Sequence, residues 1–121
     1  MTADTPGAGG GTPGEPLAGQ FDVLLLDLDG VIYLGSSAVP HAVESLTMVQ
    51  RTLGLRSAYV TNNASRTPGS IADQLRSFGL RLSDRDIVTS AQAGVRVLRG
   101  CVPAGATVLV GPAGDLDRID P

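Results

Sequence analysis

The sequence contains no lysine and no tryptophan, and it has one cysteine, Cys101, among 121 residues. A single cysteine excludes disulfide bonds within the chain and any cluster of thiolate metal ligands, which fits a reducing, cytoplasmic compartment. The nine basic residues are all arginines, they are dispersed, and the net charge is −3. The chain therefore lacks the basic stripe of a nucleic-acid-binding surface, and its few aromatic residues offer no stacking platform.

Long hydrophobic runs are also missing. No apolar segment approaches the roughly 20 residues that cross a bilayer, and the N-terminus lacks the basic start and apolar run of a secretory signal. We therefore expect a cytoplasmic protein without a membrane partner. Residues 1–19 hold six glycines and three prolines, with Leu17 as their one large apolar residue. Because burial there cannot offset the entropy of ordering, we predict a disordered tail over residues 1–19 and a folded region over residues 20–121.

The folded region alternates short apolar runs with helical patterns of apolar residues. The predicted strands cover residues 21–26, 57–60 and 107–110. The predicted helices begin at Pro40, after an N-cap at Thr67 and after an N-cap at Ser90, and they end near Gly54, Gly79 and Gly100. Such alternation predicts an α/β, Rossmann-like fold, in which right-handed crossovers place helices on the faces of a parallel sheet. These folds bind ligands beyond the carboxyl ends of their strands.

Two aspartates, Asp27 and Asp29, directly follow the first predicted strand. Gly30 permits a turn that lets both carboxylates face one crevice. Two neighbouring carboxylates repel each other unless a cation lies between them, and Mg²⁺ prefers oxygen ligands and attracts phosphate. Asp27 can then attack phosphorus and form an aspartyl-phosphate, while Asp29 protonates the leaving oxygen and later accepts a proton from water.

Thr61, Asn62 and Asn63 follow the second predicted strand. A threonine hydroxyl and free backbone amides at a strand end are suited to hold phosphate oxygens. For the two asparagines, local capping of the turn is the alternative interpretation. The aspartate pair alone is a weak signal, since aspartate and glycine are common turn formers, but its combination with Thr61 favours phosphoryl transfer.

These segments resemble the haloacid dehalogenase-like superfamily of phosphohydrolases. The stretch D-L-D-G-V-I-Y-L-G is similar to the family's first motif and V-T-N-N-A-S-R to its second. Pro40 and Thr89-Ser90-Ala91 add a likeness to the NagD-like branch, which includes nitrophenyl-, phosphoglycolate- and pyridoxal-phosphatase types, and the likeness spans residues 21–111.

The resemblance implies a role for each motif residue. Asp27 would be the nucleophile and a metal ligand, and Asp29 the acid/base and a ligand through its carbonyl oxygen. Thr61 would bind phosphate, Asn62 would lie beside the substrate, and Gly30 and Asn63 would line the same site. The implied cofactor is Mg²⁺, and the implied substrate is a small phosphorylated metabolite.

Two parts of the family pattern are missing. The third motif supplies a lysine, and this sequence has none. Gly114, Asp115 and Asp120 match the spacing of the acidic fourth motif, but they precede any position for that lysine, so we interpret them as a solvated acidic end. The chain also stops where NagD-like relatives insert a cap domain. We expect an incomplete core that is weakly active alone, with a sheet completed by a second polypeptide or by self-association.

Two other functions stay open. One is a non-catalytic, phosphate-binding or regulatory remnant of a phosphatase. The other is a receiver-like phosphoacceptor domain, which needs a lysine and an aspartate at the tip of the third strand, where Gly111 stands. Turnover of nitrophenyl phosphate with Mg²⁺ separates a phosphatase from the first of these.

Overall fold

In a computed structural model of the chain, residues 13–108 are described, and they form a parallel sheet, a small hairpin and three α-helices. The strands are β1 (Val23–Asp27), β2 (Tyr33–Leu34), β3 (Ser37–Ala38), β4 (Arg56–Thr61) and β5 (Ile87–Thr89), and the helices are α1 (Ala42–Leu53), α2 (Pro68–Ser77) and α3 (Ser90–Cys101). β1, β4 and β5 are parallel and adjacent in that order, and β2 pairs with β3 antiparallel. This confirms the predicted α/β fold with a parallel sheet.

The helix ends follow from local sequence chemistry. α1 ends at Gly54, which adopts a left-handed φ of 63° and donates its N–H to the Gln50 carbonyl. Thr67 caps α2, because its side chain accepts the Ser70 N–H at 3.2 Å, and Pro68 occupies the first helical turn. These two helices begin and end within two residues of the predicted positions.

The cap of α3 differs from the prediction by one residue. Ser90 was expected to cap this helix, but the cap is Thr89, whose hydroxyl oxygen accepts the Gln92 N–H at 3.2 Å. The Gln92 side chain in turn accepts the Thr89 N–H at 2.9 Å. This reciprocal capping box satisfies two backbone donors, whereas a cap at Ser90 has no such partner at the required spacing.

The two faces of the sheet differ sharply in burial. One face packs against α1 and α2, and its cluster of buried and half-buried apolar residues includes Leu24, Leu26, Leu46, Tyr59, Ile71, Leu75 and Ile87. The opposite face leaves Val23, Leu25, Val60 and Val88 exposed, with Leu25 at 74%. Among residues 13–108, β1 pairs only with β4. The described residues thus form a partial Rossmann-like core with helices packed on one face of its sheet.

Three short strands were not predicted from the sequence. β2 and β3 have two residues each and β5 has three, so none is long enough to show an alternating pattern. The strand predicted over residues 107–110 is not seen in its first half, since Thr107 and Val108 are exposed and belong to no strand. Leu109 and Val110 lie outside the described residues.

The predicted tail is described only in part. Leu17–Gln20 forms a short 3-10 helix with no buried residue, and residues 1–12 lie outside the described part, so the disordered tail stays a prediction. Gly111, Gly114, Asp115 and Asp120 also lie outside it. Over residues 13–108, none of the helices combines the length and the apolar character that a membrane span requires.

Candidate active site

The predicted site residues lie at the carboxyl ends of two neighbouring strands. Asp27 is the last residue of β1 and pairs in register with Val60, and Thr61 is the last residue of β4. Asp27 and Asp29 are exposed, whereas Thr61 is 3% exposed. In the alternation along the strands, Asp27 belongs to the open face and Thr61 to the packed face. Their side chains can therefore meet one ligand only beyond the strand ends.

A tight turn presents the two carboxylates. Leu28 is buried between the aspartates, and its carbonyl accepts the N–H groups of Val31 at 3.1 Å and Ile32 at 2.9 Å. Gly30 has a left-handed φ of 78°, and a Cβ there would meet no atom within 4 Å, so the backbone conformation and not a lack of space calls for glycine. The Gly30 N–H donates to the Tyr33 carbonyl at 2.8 Å. The Gly30 N–H therefore makes its hydrogen bond within the turn, and phosphate binding by this amide stays a prediction.

The loop after β4 is organised by its own side chains. The Thr61 hydroxyl oxygen accepts the Asn63 N–H at 3.1 Å, which leaves the hydroxyl proton free to donate to a phosphate oxygen. The Asn63 side-chain oxygen accepts the N–H and the hydroxyl of Ser65, both at 2.9 Å. Asn63 therefore makes the local turn-capping contacts that the sequence offered as the alternative to phosphate binding. Asn62 is exposed, and its carbonyl accepts the Ser90 hydroxyl at 3.0 Å.

Tyr33 lies beside the acidic pair, and no role was predicted for it. It is buried, and its hydroxyl has no hydrogen-bond partner among the described residues. Burial raises the pKa of Tyr33, the Asp29 and Asp27 carboxylates raise it further, and the positive charge of Arg66 lowers it. The phenol is therefore subject to charges of both signs, from the two aspartates and from the guanidinium. The sequence signal was its position inside the first motif, D-L-D-G-V-I-Y.

Arg66, the last residue of the second motif, anchors the loop to its surroundings. Its Nε donates to the Ser70 hydroxyl at 3.3 Å, its Nη2 donates to the Ser70 carbonyl at 2.8 Å, and its Nη1 donates to the Gln74 side chain. Gln74 Nε2 then donates to the Gly35 carbonyl at 2.8 Å. Arg66 and Gln74 thus join the loop, α2 and the β2–β3 hairpin around the site.

This network predicts a stability effect for Arg66→Ala. Because the substitution removes three half-buried hydrogen bonds from a charged donor, we expect a loss of about 1–3 kcal/mol in the free energy of unfolding. Urea denaturation followed by circular dichroism measures it. The matched control is Arg85→Ala, an exposed arginine outside this network, for which we expect a change within about 0.5 kcal/mol. Equal effects of the two substitutions would contradict the anchoring role.

The donor set suits magnesium. Mg²⁺ is usually held by one or two carboxylates and keeps several of its water ligands. Asp27 offers an exposed carboxylate, and Asp29, exposed at the same sheet edge, offers its carbonyl oxygen. Among residues 13–108 no group of three or more His, Cys, Asp or Glu side chains comes together, whereas structural zinc requires four protein ligands. The residues present therefore fit a hydrated Mg²⁺ ion.

Comparisons with known proteins identify the family of this chain. Residues 24–120 match the haloacid dehalogenase-like hydrolase family. The chain is 39% identical over 96 residues to D-glycerol 3-phosphate phosphatase of Mycobacterium tuberculosis, covering 79% of this chain and 26% of that relative. A crystal structure of the M. tuberculosis glycerol phosphate phosphatase with magnesium superposes with a TM-score of 0.66 and 38% identity, over 74% of this chain and 26% of that one.

A third comparison shows the likeness to the NagD-like branch of the family. The NagD protein of Escherichia coli K-12 superposes with a TM-score of 0.54 and 33% identity, over 64% of this chain and 30% of that one. The chain spans about a quarter to a third of the length of these relatives. It belongs to the haloacid dehalogenase-like hydrolase family, in the NagD-like branch.

Proposed function

We propose that this chain carries the nucleophile end of a magnesium-dependent phosphatase that hydrolyses phosphate monoesters through an aspartyl-phosphate. The observation that carries the proposal is the position of two exposed carboxylates, Asp27 and Asp29, beside Thr61 at the carboxyl edge of a parallel sheet. Ligands of such folds bind at this edge. Membership of a hydrolase family supports the same reaction class.

The proposed chemistry has two steps. In the first, a carboxylate oxygen of Asp27 attacks phosphorus, the bond from phosphorus to the ester oxygen breaks, and Asp29 gives its proton to the leaving alcohol. In the second, Asp29 takes a proton from water as the water oxygen attacks the phosphorus of the aspartyl-phosphate, which releases inorganic phosphate and restores Asp27. A magnesium ion held by the Asp27 carboxylate and the Asp29 carbonyl would neutralise charge on the phosphoryl group.

The loop after β4 is proposed to position the phosphoryl group. The Thr61 hydroxyl keeps a proton for donation because its oxygen already accepts the Asn63 N–H. Asn62 is exposed at the same strand end and would lie beside the substrate. Gly30 and Asn63 would contribute by fixing the two turns. The proposed substrate is a small phosphorylated metabolite of about the size of glycerol phosphate, in line with the named activity of the mycobacterial relative.

The lack of lysine limits what this chain does alone. A cation beside the nucleophile stabilises the charge that develops on a transferred phosphoryl group, and the 121 residues contain no lysine to supply it. We therefore propose that the chain alone turns over little or no substrate. The same observation supports the rival function, a non-catalytic phosphate-binding or regulatory protein.

A chimera separates the two functions. Residues 24–120 would replace the matching segment of the M. tuberculosis D-glycerol 3-phosphate phosphatase, and hydrolysis of nitrophenyl phosphate would be measured with Mg²⁺ or with EDTA. We expect turnover that requires Mg²⁺ in the chimera and almost none in the chain alone. A folded but inactive chimera would favour the non-catalytic function. Robust turnover by the chain alone, abolished by Asp27→Asn, would refute the incompleteness of the site.

We also propose that the open face of the sheet, and the edge of β1 that has no paired strand among residues 13–108, are covered by a second polypeptide or a second copy of the chain. Edges without a paired strand promote association with other strands. Val23 and Leu25 of β1 lie on this face beside Val60 and Val88 and are exposed with them. Contiguous apolar surface of this kind is typical of an interface.

This surface predicts an effect of Leu25→Ser on association. We expect the substitution to shift the chain towards monomer, because Leu25 is 74% exposed and contributes to association without supporting the packed core. Sedimentation velocity at several protein concentrations measures the shift. Val97→Ser, at an exposed valine on α3, is the matched control and should change nothing. Identical sedimentation of the wild type and the Leu25 variant would contradict self-association through this face.

We propose a cytoplasmic location. The one cysteine, Cys101, is an exposed free thiol. Exposed free thiols persist in reducing compartments. Fractionation of cells that express the chain, with markers for each compartment, tests this location.

A further inference from the structure

Apart from the candidate active site, a polar groove lies at the opposite end of the sheet from Asp27. It has a volume of about 420 Å³, and its polar lining residues include Gln50, Arg51, Arg56, Ser57, Arg81 and Asp86. We call it the arginine groove. Arg56 is the first residue of β4 and Thr61 the last, so at about 3.3 Å per residue the groove lies roughly 16 Å from the candidate active site. It is therefore a separate site.

The groove concentrates positive charge on an acidic chain. Three arginines and one aspartate line it, while the whole chain has a net charge of −3. The ion pairs formed within residues 13–108 use Arg76, with Asp73 and Asp84. The Asp86 carboxylate is engaged by its own turn, where Oδ2 accepts the Ser83 N–H at 2.8 Å. The three groove arginines thus have no carboxylate partner in the described part of the chain.

Neutral polar groups add donors to this site. Gln50 Nε2 donates to the Ser57 hydroxyl oxygen at 3.1 Å, which leaves the Ser57 hydroxyl proton available. Tyr59, two residues after Ser57 on β4, is 0% exposed, and its hydroxyl has no partner among the described residues. Burial raises the pKa of Tyr59, while Gln50 lowers it and Asp86 raises it. Gln50 and Ser57 thus add neutral polar groups to the arginines that line the groove.

We propose that the arginine groove binds a small molecule that carries a phosphate or diphosphate group. The planar guanidinium fork matches the geometry of phosphate oxygens and pairs with them through two hydrogen bonds. The volume is within the range of small-molecule sites. Occupancy would supply the missing counter-charge for Arg51 in the last turn of α1, Arg56 at the start of β4 and Arg81 after α2. The site is suited to an effector, because it does not include the candidate nucleophile.

Pyrophosphate is the probe for the first test. The ¹⁵N-labelled full chain would be titrated with sodium pyrophosphate in EDTA at constant ionic strength, so that no metal supports binding beside Asp27. We expect saturable amide shifts in residues 50–57 and 79–86. Arg56→Gln and Arg81→Gln should each weaken binding about tenfold, since each removes a charge-assisted hydrogen bond. Arg85→Gln, at an exposed arginine outside the groove, should change the affinity less than twofold.

Other outcomes would overturn the proposal. Shifts confined to residues 27–31 and 61–65, or shifts that never saturate, would show that the groove is not a binding site. Equal weakening by Arg85→Gln would indicate non-specific charge attraction. The groove arginines could instead serve only the carboxyl ends of the helices, where Arg51 lies in the last turn of α1. In that case the variants would lower the melting temperature and leave pyrophosphate binding unchanged.

Discussion

Replacement of Asp27 by asparagine is expected to lower the magnesium-dependent turnover of nitrophenyl phosphate by the chimera by a factor on the order of 10³ or more. The amide has no negative charge to bind the cation, and its oxygen is a far weaker nucleophile than a carboxylate oxygen. Because Asp27 is exposed at the end of β1, the exchange should leave folding intact. The measurement is kcat at saturating substrate and Mg²⁺, with circular dichroism to verify the fold.

Two further variants make this result specific. Asp29→Asn should lower turnover by about 10² to 10⁴, the usual range for a general acid–base, and the loss should be larger for glycerol 3-phosphate than for nitrophenyl phosphate, since an alkoxide needs protonation more than a nitrophenolate. Asp22→Asn, at an exposed aspartate just before β1, should have no effect. Retention of more than a tenth of the activity by Asp27→Asn would exclude Asp27 as the nucleophile.

The second large effect concerns the core beneath the site. Leu75→Ala is expected to lower the free energy of unfolding by about 2–5 kcal/mol. Leu75 is 0% exposed on α2 and belongs to the same apolar cluster as Leu28, Tyr59 and Ile71. The loss combines the removed apolar contact with the cavity left behind. Because domains of this size are stable by about 5–15 kcal/mol, the variant should be close to unfolding at 37 °C.

Urea denaturation of the full chain measures this loss. Val97→Ala on α3 is the control, since Val97 is 65% exposed, and its effect should stay within about 0.5 kcal/mol. A loss below about 1 kcal/mol for Leu75→Ala would show that α2 does not close the core of the sheet. The two substitutions together thus distinguish the packed face from the exposed surface.

The sequence predicted the elements that have strong local signals. α2 was predictable because a capping threonine, a proline at the first position and the spacing of Ile71 and Leu75 all indicate the same helix. β1 and β4 were predictable as continuous apolar runs, although each extends one residue further towards the site. The β2–β3 hairpin and β5 were not, because their pairing depends on neighbours that are distant in sequence.

Prediction of the site residues was limited in the same way, to residues with a local signal in the sequence. Asp27, Asp29 and Thr61 were identified by their positions at strand ends, and parallel pairing of β1 with β4 places those ends side by side. Tyr33 and Arg66 were missed, since the significance of Tyr33 comes from the charges of the aspartates and that of Arg66 from its hydrogen bonds to α2. The arginine groove could not be predicted from the sequence either, because its three arginines are spread over about thirty positions and form no motif.

Binding of Mg²⁺ at the strand ends is the most direct test of the central claim. The ¹⁵N-labelled chain would be titrated with MgCl₂, and amide shifts would be compared between wild type and Asp27→Asn. We predict saturable shifts in residues 27–31 and 61–65 that disappear in the variant, whereas Asp22→Asn behaves as wild type. The absence of shifts in these two segments, or shifts that persist without the Asp27 carboxylate, would contradict a magnesium-dependent phosphoryl-transfer site at this edge of the sheet.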